Sequence, residues 1–403
     1  MASVCLYLQL HQPFRLRRYS VFDSDHHYFD DLRNAEICRK VTHKSYLPAG
    51  RVLLQLLNQH QGEFKIALSM TGTVLDQFEA FAPEVLDLLK QIVGTGHAEV
   101  LSETYHHSLA FIYSREEFRK QVELHRSRVE GLFGQTPRVF RNTELLYNND
   151  VAHFIAHMGY DAMLAEGADR VVAGRSPGEL FHPPESPQLR VLLRNYRLSD
   201  DIAYRFSNRS WASWPLTAEK FTGWVDQLDT VGHGTGGLGR LCNLFMDFET
   251  FGEHQWAETG ILDFLARFPA GVLASPNKHR FVTPSNVADH TADEVLDVTH
   301  MTSWADSERD VSAWLGNAMQ SNAMHELYKL EPAVKESKDA PIIESWRRLT
   351  TSDHCYYMST KFWADGEVHK YFNPYESPYD AYINFMNVLD NVASRVGASG
   401  RRG

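Results

Sequence analysis

The chain has 403 residues, 43% of them apolar and 23% charged, with a formal net charge of −11. That length suits one large α/β barrel or two to three ordinary domains, and the composition is that of a soluble globular protein. The acidic balance, without a long Lys/Arg block, excludes a nucleic-acid partner, because phosphate contacts need clustered cations; no apolar stretch approaches the roughly 20 residues that span a membrane, so no membrane partner is expected.

The chain opens on "MASVCLYLQLHQPF", whose apolar run has no basic segment before it and stops at His11. It reads as a buried strand over 3–10, not a signal peptide. Further strand signals follow at 64–69, 97–101, 137–141, 161–165, 190–194, 241–247 and 280–283. Between them, apolar residues at three- and four-residue spacing predict helices over 48–60, 73–93, 115–133, 149–158, 216–230 and 258–268. Asn148 to Asp150 supply an N-cap for the helix at 149, and Gly159 a stop before the next strand. The Gly-rich "GHGTGGLG" at 232–239 lacks the Lys-Ser/Thr of a phosphate loop and reads as a flexible connection or a lip over a site. Cys5, Cys38, Cys242 and Cys355 are scattered and read as free core thiols, which favours a cytoplasmic location. Past about 290 the strand signal fades, and 308–333 and 375–396 read as helical. The expected division is a barrel over 1–290 and a helical C-terminal region over 291–403 packed on it. The tail "GASGRRG" is expected to be disordered.

Repeated strand–helix–strand order implies parallel strands with crossover helices, and seven or eight units fit a closed TIM-like barrel. Chemistry on such a frame sits at the C-terminal strand ends. His11 and Gln12 follow the first strand; Glu99 lies in "HAEVL", with Glu103, His106 and His107 after it. Glu144 follows "PRVFRNT", Glu166 follows "DAMLA", and Asp247 closes "CNLFMD", with Glu249 and His254 beyond.

Two chemistries use such a mouth. In glycoside hydrolysis one carboxylate stays ionised and another keeps a proton through a raised pKa. Glu144, with Arg141 and Asn142 nearby, suits the first role. Asp247, among Phe245, Met246 and Phe248, suits the second. Glu249 would orient rather than react. The other chemistry is a metal centre drafted from His11, Asp23, Asp25, His26, His27, His106, His107 and His254. It lacks an HExxH motif, a CxxC pair or a compact His-x-His, so no metal and no cofactor is expected. No G-x-S-x-G elbow supports a serine hydrolase.

Five segments carry a family likeness: "HQPFRL" (11–16), "HAEVLSETYHHSLA" (97–110), "PRVFRNTELLYNN" (137–149), "FMDFETFGEHQW" (245–256) and "SWADSERDVSAWLGN" (303–317). In this order they resemble the five sequence regions of glycoside hydrolase family 57, the last four being most similar to its α-amylase-type branch. The resemblance implies a distorted (β/α)7 barrel followed by a helical bundle, and reaction with retention on α-glucans without a catalytic metal. It implies Glu144 as nucleophile and Asp247 as general acid/base. It places His11, Glu99, His254 and Trp304 at the substrate site, together with His107, Glu249 and Asp306 from the same motifs. The chain departs from the pattern in three ways. Gln9 stands where many members have the first His of His-x-His. Arg141-Asn142-Thr143 replace a Trp before the nucleophile in other branches. The long β-rich C-terminal extension of some glucanotransferases is missing. The expectation is an α-amylase-like retaining hydrolase of α-1,4 bonds. The alternatives are a 4-α-glucanotransferase, a metal-dependent deacetylase-like enzyme and a non-catalytic glucan-binding protein.

Overall fold

The computed structural model describes residues 1–228, 237–363 and 373–399. Its strands in chain order are β1 (Ala2–Leu10), β2 (Ile66–Met70), β3 (Ala98–Val100), β4 (Val139–Arg141), β5 (Ala162–Glu166), β6 (Phe181–His182), β7 (Arg190–Arg194), β8 (Arg240–Asp247), β9 (Phe251–Gly252), β10 (Gln255–Trp256), β11 (Arg280–Phe281) and β12 (Glu294–Val295). β1 is buried along its whole length. Its even-numbered residues Val4, Leu6 and Leu8 join the cluster formed with the surrounding helices, while Cys5 and Tyr7 face the opposite way. A strand covered on both faces is therefore apolar almost throughout, and this is the pattern "SVCLYLQL" displays.

Parallel strands dominate two sheets. In the first, β8 and β2 flank β1, β3 lies beyond β2, and β11 pairs with the start of β1. In the second, β4, β5 and β7 run parallel, and the short β6 and β12 extend the far edge. The two sheets meet twice. Past β3, the Ser102 N–H donates to the Val139 carbonyl at 2.9 Å and the Arg141 N–H to the Ser102 carbonyl at 2.8 Å. Past β7, the Asn195 N–H donates to the Asn243 carbonyl at 2.9 Å, and the Asn243 amide donates to the Leu193 carbonyl at 2.8 Å. Cys5, Tyr7, Ala67, Val139, Leu164, Leu192 and Phe245, drawn from both sheets, form one buried apolar cluster.

The expected long elements are present with boundaries shifted by a few residues. The segment 73–93 is a correction: it forms two helices, Gly72–Phe81 and Pro83–Gly94. Pro83 has no N–H to continue the first helix, and it forces Ala82 into φ −152°, ψ 58°. The segment expected over 308–333 divides into Ser312–Leu315, Ala318–Lys329 and Glu331–Ser337, and helix Pro378–Ser399 runs into the tail expected to be disordered. Most of the Gly-rich 232–239 segment lies outside the described residues. Helices Asp31–Val41, Tyr196–Ala203 and Ala340–Leu349 escaped the periodicity reading. Among the described residues no helix is long and apolar enough to cross a membrane.

One close approach fixes the turn after β8. Gly252 has φ +119°, and an added Cβ would lie 2.0 Å from the Lys44 carbonyl oxygen. Gly252→Ala is expected to lower stability by about 1–3 kcal/mol from backbone strain alone, with the collision adding to it. Gly94→Ala, where an added Cβ meets nothing, is expected to be neutral or stabilising by up to about 1 kcal/mol. Urea denaturation of the two variants measures both.

Candidate active site

Each long strand hands the chain to a polar residue at its C-terminal end. His11 follows β1 and Thr71 follows β2, while Arg141, Glu166, Arg194 and Asp247 end β4, β5, β7 and β8. The register sets Gln9 of β1 opposite Asp247 of β8. Parallel pairing thus brings residues far apart in sequence to one rim.

Glu144 sits in a tight turn just past β4. The Asn142 side chain accepts from the Thr143 N–H and donates to the Leu146 carbonyl at 3.0 Å. Glu144 and Leu145 both adopt positive φ, +55° and +52°, a conformation that non-glycine residues take only where surrounding contacts impose it. Both carboxylate oxygens are held: His107 Nε2 lies 2.7 Å from Oε1, and the Trp304 indole N–H donates to Oε2 at 2.6 Å.

His107, also at positive φ, is the pivot. Its Nε2 contacts Glu144, while its Nδ1 lies 3.4 Å from Gln9 Nε2 and 3.6 Å from Glu103 Oε2, so a carboxylate flanks the ring on either side. Burial opposes its charge, but the hydrogen bonds to Glu103 and Glu144 prevail and raise its pKa to about 9. Burial likewise opposes ionisation of Glu144. The His107 hydrogen bond, the charges of His107 and Arg141 and the Trp304 hydrogen bond overcome it and lower its pKa. Arg141 is fully buried, 3.9 Å from Glu103 and 5.0 Å from the Trp304 ring centroid. Among the described residues none of its guanidinium nitrogens has a hydrogen-bond partner, so it acts here through its charge.

Asp247 experiences the opposite field. Burial, then the charge of Glu144, push its pKa up to about 6. Glu249, two residues on, lies in a 3-10 turn, hydrogen-bonds the Tyr46 hydroxyl and is raised to about 8 by burial and by Asp247.

His11 stacks on His107 with ring centroids 4.0 Å apart. Its Nδ1 lies 2.9 Å from Thr71 Oγ1 and its Nε2 2.9 Å from Asp353 Oδ2. Trp304 joins the group through Glu144. Asp306 lies on the same loop, 3.4 Å from Lys361. His254 follows the 3-10 turn of Glu249, its N–H donating to the Glu249 carbonyl at 2.9 Å, and burial lowers its pKa to about 4. Glu99 does not join the cluster. It lies within β3 and accepts from the Ser285 N–H at 3.0 Å, in a cavity lined by Lys65, His97 and Arg138 at the opposite strand ends. The acid at the mouth is Glu103, because the chain stays extended past β3 until it has bridged to β4. Asp23 and Asp25 pair with Arg17, away from the rim. His11, His107 and Asp353 place donor atoms within 4.8 Å of one another, close enough to hold a cation. The pKa of His107, raised to about 9, opposes metal ligation, which needs an unprotonated ring nitrogen.

Residues 5–299 match the family model for Glycosyl hydrolase family 57. The chain belongs to this family. It is 38% identical over 396 residues to a Methanocaldococcus jannaschii protein named "Putative alpha-amylase", covering 94% of this chain and 82% of that protein. Its fold is similar to that of a GH57-type branching enzyme from Pyrococcus horikoshii, with TM-score 0.69 and 15% identity over 100% of this chain and 92% of that one. It is also similar to 4-alpha-glucanotransferase from Thermococcus litoralis, with TM-score 0.65 and 15% identity over 88% of this chain. There it spans only 56% of the compared chain.

Sequence reasoning missed Asp353, which lies 342 residues from His11 with no local motif. It also left the Asp200–Arg194–Glu166 ion-pair network unread. The shift of His107 gives a stability prediction. Its folded pKa, about 9, lies above its ordinary 6.5. The stabilisation is therefore fully present below 6.5 and lost as pH rises through about 9. Thermal melts of wild type and His107→Asn should diverge most at pH 6 and converge by pH 10; a constant difference would contradict the assignment.

Proposed function

We propose that this chain is a retaining glycoside hydrolase of α-1,4-glucosidic bonds in α-glucans, α-amylase-like in activity. The observation that carries the reading is the opposed electrostatics of two carboxylates in one rim: the pKa of Glu144 is lowered, while that of Asp247 is raised to about 6. Environments that push two acids apart define a nucleophile and a proton donor. Glu144 attacks the anomeric carbon while Asp247 gives its proton to the departing glycosidic oxygen. Asp247 then takes a proton from water as that water's oxygen displaces Glu144 from the sugar. His107 and Trp304 hold the attacking carboxylate, and His11, Asp306 and His254 stand where sugar hydroxyls would meet hydrogen-bonding groups.

In this reading the seven strands β1, β2, β3, β4, β5, β7 and β8 close as a distorted (β/α)7 barrel within 1–290. The two hydrogen-bonded seams and the shared interior cluster support that closure. The described residues of 291–403 belong to the helical region, which contributes Trp304 and Asp353 to the mouth; their bonds to Glu144 and His11 support its role. The four cysteines are buried free thiols, in keeping with a cytoplasmic enzyme. Transfer to a second sugar in place of water is the alternative outcome on the same site, and the branching enzyme and glucanotransferase of like fold keep it in the test.

Incubation with maltoheptaose, with and without chelator, and NMR of the first product anomer test the reading. Chelator-insensitive release of the α-anomer is expected, and Glu144→Gln should abolish turnover with the fold intact. Chelator-sensitive turnover, an initial β-anomer, or sugar binding without turnover would each overturn it. The pH profile follows from the same fields. The kcat/KM should peak at mildly acid pH, above the lowered pKa of Glu144, and fall as pH rises through about 6 and Asp247 loses its proton. A profile flat from pH 5 to 8 would contradict the assignment.

A further inference from the structure

The loop that brings Trp304 to Glu144 has no regular secondary structure of its own. Trp304 nevertheless meets Glu144 twice, by its main-chain N–H to the Glu144 carbonyl at 3.2 Å and by its indole to the carboxylate. The loop closes on itself: the Ser303 N–H donates to the Arg309 carbonyl at 2.9 Å, and the Arg309 N–H to the Ala305 carbonyl at 3.2 Å. Asp306 and Arg309 both take φ +52°. The Arg309 guanidinium turns back beneath the loop. Its Nη1 donates to the Trp304 carbonyl and lies 3.3 Å from Glu166 Oε2, and its Nη2 donates to Asp200 Oδ2 at 3.1 Å. Glu166 is fully buried, and the two acids also pair with Arg194, at 3.1 Å and 2.6 Å. Arg194 in turn donates Nε–H to the Phe245 carbonyl of β8 at 2.7 Å. One guanidinium thus ties the Trp304 loop to β5, to helix Tyr196–Ala203 and, through Arg194, to β7 and β8.

We propose that Arg309 is a positioning residue that sets the Trp304 indole on Glu144 and so fixes the orientation and ionisation of that carboxylate. The proposal rests on the reading of Glu144 as nucleophile. The role needs a planar fork: the acceptors are reached from two separate nitrogens, Nη1 and Nη2, a span that the single nitrogen of an ammonium lacks. Arg194 remains to pair both acids when Arg309 is replaced, so the ion-pair site is not left uncompensated.

The test has an arm that is independent of turnover. In protein labelled with 15N-tryptophan, the Trp304 indole N–H signal is assigned by its loss in Trp304→Phe. Arg309→Met is expected to shift or broaden that signal. It should also lower kcat on maltoheptaose about tenfold or more, the scale of a lost hydrogen bond to a charged group, with KM little changed and the acid limb of the pH profile moved upward. Arg309→Lys should recover only part of each effect, and it carries the test if the methionine variant does not fold. The double variant with Trp304→Phe should be no slower than Trp304→Phe alone. A Trp304 signal unmoved in both folded Arg309 variants, or losses that multiply in the double variant, would overturn the proposal. A wild-type chain inactive on glucans whose Trp304 signal still moves in Arg309→Met would overturn the functional reading and leave the clamp standing.

Discussion

His107 lies between two carboxylates, with its Nε2 on Glu144 and Glu103 on its other side, and the rest of the site depends on that placement. A buried imidazole prefers to be neutral, and buried carboxylates prefer to be protonated. Placed in line, Glu103, His107 and Glu144 reverse both preferences: the ring holds its charge, and Glu144 is left ionised. Arg141, buried behind them with its guanidinium free of hydrogen bonds among the described residues, adds a positive field with the same sign. After burial, the charge of Glu144 is the next cause that raises the pKa of Asp247. One imidazole therefore distributes protonation across two strand ends.

Burying this many charges is costly unless each has a partner of good geometry. The partners come from distant parts of the chain. Asp353, from the short helix Ser352–Tyr356, accepts from His11, and its pKa is held well below the usual carboxylate range once the His11 charge and hydrogen bond overcome burial. Trp304 arrives on a loop after the last strand. The C-terminal region thus contributes directly to the charge state of the rim, and the rim cannot be assembled from the strands alone. Positive φ at His107, Glu144, Leu145, Asp306 and Arg309 marks the same places in the backbone, where local strain is offset by the contacts around it.

Much of the frame was legible because two-faced burial leaves a plain mark: the apolar runs of β1 and β8 and the helical spacing over 115–133 need no tertiary information. Glu144 and Asp247 stood out as candidates because one follows a strand that ends at Arg141 and the other closes a strand among Phe245, Met246 and Phe248. Glu99 and Glu103 illustrate the limit. Four residues apart, they face opposite ends of the strands, and only the extended stretch through Ser102 decides which one reaches the mouth. The pairing of Asp353 with His11 had no sequence signal at all, since it is a packing contact between the start of the chain and a helix near its end. Ala82 preceding Pro83 did carry a signal, a helix break, which the apolar periodicity on either side concealed.

In the proposed reaction Glu144, and not Asp247, forms the bond to the sugar. Mass spectrometry of the protein after incubation with a slow fluorinated α-glucosyl fluoride, followed by peptide mapping, reads this directly. The account predicts a single glycosyl adduct on the peptide bearing Glu144, lost in Glu144→Gln and accumulating in Asp247→Asn. An adduct on Asp247, or turnover of the reagent with no adduct in any variant, would contradict it.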